Sequence, residues 1–113
     1  MDYMEVLRRL AINDEHFAEE YVSGCGVKPV ALDPKSLALA RLAALVAVGG
    51  AVPSFGVEVD AAVGAGATAV EIVDVLVGVV PVVGLPIVVS AAPRLALALG
   101  YDVEGAFEHQ SGW

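Results

Sequence analysis

Leu32-Asp33-Pro34-Lys35-Ser36 and Gly66-Ala67-Thr68-Ala69-Val70-Glu71-Ile72-Val73 are the two segments that organise this chain. In the first, an aspartate precedes a proline, which is the usual order of a helix N-cap and the first helical residue. In the second, Thr68 and Glu71 have the spacing of a capping box, in which the hydroxyl and the carboxylate each accept a backbone N–H. Both segments therefore predict the start of a helix.

The rest of the chain also has the pattern of helices. Residues 73–89 are rich in valine, which strands favour, but the capping signals and the alanine-rich flanks favour helix. The predicted helices cover residues 1–12, Asn13 to Ser23, Pro34 to Gly49, Pro53 to Gly64, Thr68 to about Val80, residues 86–99 and Asp102 to His109. We expect an all-α fold of six to seven helices in one domain, residues 1–113.

The composition indicates that apolar surface must be shielded from water by something other than the core of a monomer. Of the 113 residues, 58% are apolar, which is more than a monomer of this size buries comfortably. Either an extensive subunit interface or a membrane could cover this apolar surface. Residues 75–92 carry no charge and approach the length of a membrane span, but two glycines and two prolines interrupt them. We therefore expect a homo-oligomer, with a membrane-associated helical protein as a less favoured alternative.

Charge and cysteine content exclude several functions. The net charge is −8 and the six basic residues are scattered, whereas nucleic-acid binding needs clustered positive charge. Cys25 is the only cysteine, so an internal disulfide, a C-x-x-C redox pair and a thiolate metal cage are excluded. We expect no metal, no cofactor and no nucleic-acid partner. Residues 1–12 do not resemble a signal peptide, which predicts a cytoplasmic protein.

The two segments and the apolar helix between them (residues 39–48) resemble the carboxymuconolactone decarboxylase-like family, which includes the alkylhydroperoxidase D-like proteins. The resemblance covers residues 32–100 and leaves residues 1–31 as an N-terminal helical extension. It implies an all-α fold whose subunits assemble into trimers or hexamers. Such an assembly would cover the apolar surface that the composition predicts.

In the peroxidase branch of this family, a glutamate, a C-x-x-C pair and a histidine act together. The resemblance indicates which positions of this chain correspond to these catalytic residues. A thiolate attacks the peroxide, the second thiol resolves the disulfide, and the acid and the histidine move protons. Counted from the two segments, these positions hold other side chains here: Ala38 or Leu39 for the glutamate, Gly50 or Ala51 and Pro53 or Ser54 for the cysteines, and Glu58 for the histidine. We therefore expect a protein with the fold of this family but without the catalytic residues of a thiol peroxidase.

Three residues are candidates for a site. Glu58 is the catalytic candidate because it stands at the histidine position, and its alternative role is that of an exposed or paired carboxylate. Arg41 is a lone charge on an apolar helix. It is predicted either to form an ion pair with Glu58, Glu71 or Asp74, within or between subunits, or to bind a substrate carboxylate. Ser54 is a candidate for substrate binding, although a helix-start role is favoured.

The sequence is consistent with three functions. The first is a non-redox oligomer of this family, a trimer or a hexamer, that binds a small ligand. The second is a decarboxylase or proton-transfer enzyme that acts on a small anionic substrate through Glu58, with Arg41 as the anion anchor. The third is the membrane-associated protein. The sequence leaves open whether the protein is an enzyme.

Overall fold

The structure is a computed structural model that describes residues 2–12, 15–16 and 31–100. These residues divide into two compact units, with the boundary between Ala31 and Leu32. The helices are α1 (Tyr3–Ala11), α2 (Pro34–Val48), α3 (Val52–Gly64), α4 (Ala69–Gly78), α5 (Val80–Val83) and α6 (Leu85–Ala98). No strand occurs among the described residues, so the all-α prediction is confirmed. The prediction of a single domain over residues 1–113 stays a prediction.

Two predicted helices fall wholly or largely outside the described part of the chain. Of the helix predicted from Asn13 to Ser23, residues 15–16 are described and are helical. The helix predicted from Asp102 to His109 lies outside the described residues.

Local side-chain contacts stabilise α1. The Asp2 carboxylate accepts the N–H of Met4 at 3.2 Å and caps the helix. The Glu5 carboxylate contacts the guanidinium groups of Arg8 at 2.7 Å and Arg9 at 3.0 Å. The hydrogen bond from Arg8, and then that from Arg9, lowers the pKa of Glu5 to about 2. None of the residues of α1 is buried.

The two quoted segments start α2 and α4 as predicted. Asp33 accepts the N–H of Ser36 at 2.7 Å, with Pro34 in the first turn. Thr68 accepts the N–H of Glu71 at 3.1 Å, and the Glu71 carboxylate accepts the N–H of Thr68 at 3.0 Å. The capping box is therefore complete, and both helix starts follow from local sequence alone.

The core of residues 31–100 lies between α2, α3, α4 and α6. Helix α3 is central to it, because its most extensive contacts are with α2 and then with α6. Phe55 is fully buried and is the largest side chain in the core. Each helix contributes apolar residues at helical spacing: Ala38, Leu42 and Val46 from α2, Phe55, Val59 and Ala62 from α3, Ile72 and Leu76 from α4, and Val88, Ala91 and Leu95 from α6.

The uncharged stretch from residue 75 to residue 92 forms three helices. The sequence predicts one helix to about Val80, but α4 ends at Gly78 and the short α5 follows. Pro81 has no N–H to donate to a carbonyl one turn earlier, so α4 cannot continue through it. Gly84, with φ of +90°, separates α5 from α6. Among the described residues, no helix combines the length and the apolar composition needed to cross a membrane.

Candidate functional site

The candidate site lies where α2 connects to α3. Gly49 ends α2 with φ of +79°, a conformation that glycine adopts without strain. At the next residue, a Cβ on Gly50 would lie 2.3 Å from Cδ1 of Leu45. The connection can pass this close to α2 because Gly50 has no side chain. The carbonyl of Ala51 then accepts the N–H of Ser54 at 3.0 Å and begins α3.

An open pocket lies beside this connection, with a volume of about 360 Å³, lined by Leu45, Ser54, Val57 and Glu58. Ser54 and Glu58 are one helical turn apart on α3, so their side chains lie on one face. Ser54 is exposed and Glu58 is half-buried. The pocket therefore offers a hydroxyl and a carboxylate beside apolar walls. Such an arrangement can accept hydrogen bonds from a small ligand that also has an apolar part.

Arg41, the third predicted site residue, does not line this pocket. It lies on α2 one turn before Leu45, and it is exposed. No acid among the described residues lies within ion-pair distance of Arg41. The predicted pairing with Glu58, Glu71 or Asp74 within one subunit is therefore wrong. The physical reason is exposure, because water stabilises a guanidinium that faces solvent and no carboxylate is needed. Pairing between subunits stays a prediction.

Glu71 forms an ion pair with Lys35 and not with Arg41. This ion pair joins the first turn of α4 to the first turn of α2. The Lys35 Nζ to Glu71 Oε2 distance is 2.6 Å. The hydrogen bond from Lys35, followed by the N–H of Thr68, lowers the pKa of Glu71. The Ser36 hydrogen bonds likewise hold the pKa of Asp33 below its usual value. Contacts at the helix starts thus favour the ionised form of both acids. This supports the prediction that Asp33 and Glu71 act as helix-capping residues.

The glutamate of the peroxidase branch is predicted to correspond to either Ala38 or Leu39, and both of these side chains are apolar. Ala38 is buried in the core, with 5% of its surface exposed. Leu39 is partly buried and packs against the same core. Neither position offers a proton-transfer group, and both are part of the packing between helices.

One residue that the sequence analysis passed over, Arg94, has a defined place beside the α2–α3 connection. Its Nη1 donates a hydrogen bond to the carbonyl oxygen of Gly50 at 3.0 Å. Together with Ser90 it lines a second, smaller pocket of about 90 Å³ next to the end of α2. The signal in the sequence was a serine and an arginine four residues apart on an apolar helix. Nothing in that signal indicated that the two side chains face the α2–α3 connection.

The remaining candidates for chemistry give no site. Cys25 and His109 lie outside the described residues. Within residues 2–12, 15–16 and 31–100, no group of three or more His, Cys, Asp and Glu side chains could hold a metal ion.

The comparisons with known proteins give one match. The model of the carboxymuconolactone decarboxylase family matches residues 16–97, which is more than half of the chain. The match begins before Leu32, where the resemblance of the quoted segments begins, and it includes the whole α2–α3 connection. No curated protein and no solved structure matches the chain.

Proposed function

The chain belongs to the carboxymuconolactone decarboxylase family, and from this premise we propose that it is a non-redox member that binds a small ligand beside the α2–α3 connection. The ligand site is the pocket lined by Leu45, Ser54, Val57 and Glu58. The observation that carries the proposal is the placement of Ser54 and Glu58 on one face of α3, in the positions where the peroxidase branch has a cysteine and a histidine. By the count from the Thr68 helix start, a hydroxyl and a carboxylate would take the places of that branch's thiol and imidazole.

The loss of thiol peroxidase activity can be tested directly. The chain has one cysteine, and two thiols are needed to form and resolve an internal disulfide. We expect no turnover of hydrogen peroxide or cumene hydroperoxide above background with dithiothreitol as reductant. Cys25→Ala is the matched control for reaction at the single thiol. Turnover that persists in the Cys25→Ala variant would overturn the non-redox assignment.

Ligand binding in the pocket can be tested with a library of small fragments followed by NMR. The expected binders are fragments with a hydrogen-bond donor or a positive charge for Glu58 and a short apolar part for Leu45 and Val57. Glu58→Gln should weaken them about tenfold, because hydrogen bonds to charged groups contribute about 1.5–3 kcal/mol. Asp60→Asn is the matched control, since Asp60 is an exposed carboxylate on the same helix. Equal effects of the two substitutions would contradict the placement of the ligand at Glu58.

A homo-oligomer is the assembly that the surface of residues 31–100 supports. Many large apolar side chains there are exposed, among them Val70 at 70%, Val77 at 63%, Val82 at 86% and Val89 at 60%. Monomeric proteins rarely expose large contiguous apolar patches, and a trimer or hexamer would cover these side chains. Sedimentation equilibrium without detergent should give a single oligomer. A monodisperse monomer at micromolar protein concentration would contradict the proposed oligomer. The proposal also includes a cytoplasmic location.

The second candidate function is decarboxylation or proton transfer with Glu58 as the acid. Its support is the position of Glu58 in the pocket. In this reaction the bond to the substrate carboxylate breaks and carbon dioxide leaves. The electron pair stays on the remaining carbon, which then takes a proton from a carboxyl group. Arg41 would reach such a substrate from outside the pocket lining, as anion anchor.

The two functions separate in one assay. The probe is a carboxymuconolactone, and the readout is the release of carbon dioxide. For the enzyme, Glu58→Gln should abolish release while Asp60→Asn retains it. No release by the unaltered protein, together with fragment binding at Glu58, would leave the non-redox ligand-binding function.

A further inference from the structure

The smaller pocket, between the end of α2 and one face of α6, has a composition different from that of the Glu58 pocket. Helix α6 contributes Ile87, Ser90, Ala91 and Arg94, and the last turn of α2 contributes residues 46–49. Spacings of three and four residues place the α6 side chains on a single face. No residue lines both pockets, so this one can be considered independently of the proposed function.

Arg94 brings a positive charge to this pocket, and no acid in the described part of the chain neutralises it. The residue is half-buried, and its hydrogen bond to the Gly50 carbonyl, at 3.0 Å, uses one of its five N–H donors. No carboxylate of the described residues lies within ion-pair distance of Arg94. A guanidinium that is partly removed from water, and whose hydrogen-bond partner within residues 31–100 is one neutral carbonyl, favours an anion beside it.

We propose that the Ser90–Arg94 pocket binds a small monocarboxylate with a short alkyl chain. The guanidinium fork matches the two oxygens of a carboxylate, and the Ser90 hydroxyl, one turn away, can donate a further hydrogen bond. Val46 and Ala91 are buried and, with Ile87, give apolar walls for the alkyl part. A volume of about 90 Å³ limits the ligand to a few heavy atoms.

Propionate is the probe, titrated into the complete ¹⁵N-labelled protein while the backbone amide signals are followed by NMR. The largest shifts are expected at Ser90, Arg94 and Gly49, with a Kd in the millimolar range. Arg94→Gln should raise the Kd about tenfold or more, since it removes a charged hydrogen-bond donor. Ser90→Ala should raise it about five-fold, the value of one neutral hydrogen bond. Lys35→Gln makes the same charge change in the first turn of α2, at the opposite end of that helix from the pocket, and should leave the Kd unaltered.

A second variant keeps the test valid if loss of the Arg94–Gly50 bond unfolds the protein. Ser90→Leu places a bulky side chain in the pocket and leaves Arg94 intact, so propionate shifts at Gly49 should vanish while the rest of the spectrum is retained. Propionate binding that survives in both Ser90→Leu and Arg94→Gln would overturn the proposal. Sulfate or phosphate binding as tightly as propionate would overturn the carboxylate assignment, because the apolar walls would then contribute nothing.

Discussion

Replacing Gly50 by alanine perturbs the α2–α3 connection at its closest approach to α2. The added Cβ would lie 2.3 Å from Cδ1 and 2.9 Å from Cγ of Leu45. Both distances are too short for carbon atoms, so Leu45 must leave its rotamer or the connection must move. Leu45 packs against the core on one side and lines the open pocket on the other, so it can turn only towards the pocket. A forced rotamer costs about 0.5–1.5 kcal/mol and overpacking about 1–3 kcal/mol. We expect Gly50→Ala to lower the free energy of unfolding by about 1–2 kcal/mol, values taken from these ranges.

Gly56 is the matched control for this substitution. It lies inside α3, and a Cβ there would meet no heavy atom within 4 Å. Alanine is favoured over glycine in a helix by about 0.5–1 kcal/mol, so Gly56→Ala should stabilise the protein by that amount. Both variants add one methyl group, but Gly50→Ala should destabilise the protein and Gly56→Ala should stabilise it. Their free energies of unfolding are therefore expected to differ by about 2 kcal/mol.

Urea unfolding followed by circular dichroism measures the difference. All three proteins must be compared at the same protomer concentration, because the stability of the proposed oligomer would depend on it. In thermal unfolding each kcal/mol should appear as a change in Tm of about 4–8 °C. The methyl signals of Leu45 should also shift in Gly50→Ala. If Gly50→Ala proves as stable as Gly56→Ala, the close contact between Leu45 and Gly50 does not constrain the α2–α3 connection.

The remaining predictions concern the core and the helix starts. Phe55→Ala should lower the free energy of unfolding by about 3–5 kcal/mol, because Phe55 is fully buried; urea unfolding at an unchanged midpoint would contradict its place in the core. Thr68→Ala should cost about 1 kcal/mol, the usual effect of losing a helix N-cap, whereas Thr68→Ser should keep the cap and the stability. The contact with Lys35 lowers the pKa of Glu71 from 4.5, so its contribution to stability is present above pH 4.5 and is lost as pH falls through the folded-state pKa. Glu71→Gln should therefore lower the urea midpoint at neutral pH and have a smaller effect in acid; an equal effect at both pH values would contradict the ion pair.

The arrangement of the candidate site residues was partly predictable from the sequence. The positions of Ser54 and Glu58 follow from their distance to the Asp33 and Thr68 helix starts, and their four-residue spacing places both on one face of α3. Arg41 was predicted to pair with an acid or to bind a substrate carboxylate, yet it is exposed and has no acid within ion-pair distance among the described residues. The apolar residues around it in the sequence did not reveal which face of α2 turns away from the core. That direction depends on how α3 and α4 pack against α2.

The sequence by itself determined the elements that local chemistry specifies. The Asp33 and Thr68 caps, the left-handed glycine at Gly49 and the proline at Pro81 each set a helix boundary through contacts within a few residues, so each boundary could be predicted. The absence of a second cysteine also needed no structure. The tertiary structure alone decided which distant groups meet. Arg94 reaches the carbonyl of Gly50, 44 residues earlier, because α6 packs against α2 and α3, and sequence spacing carries no information about such a contact.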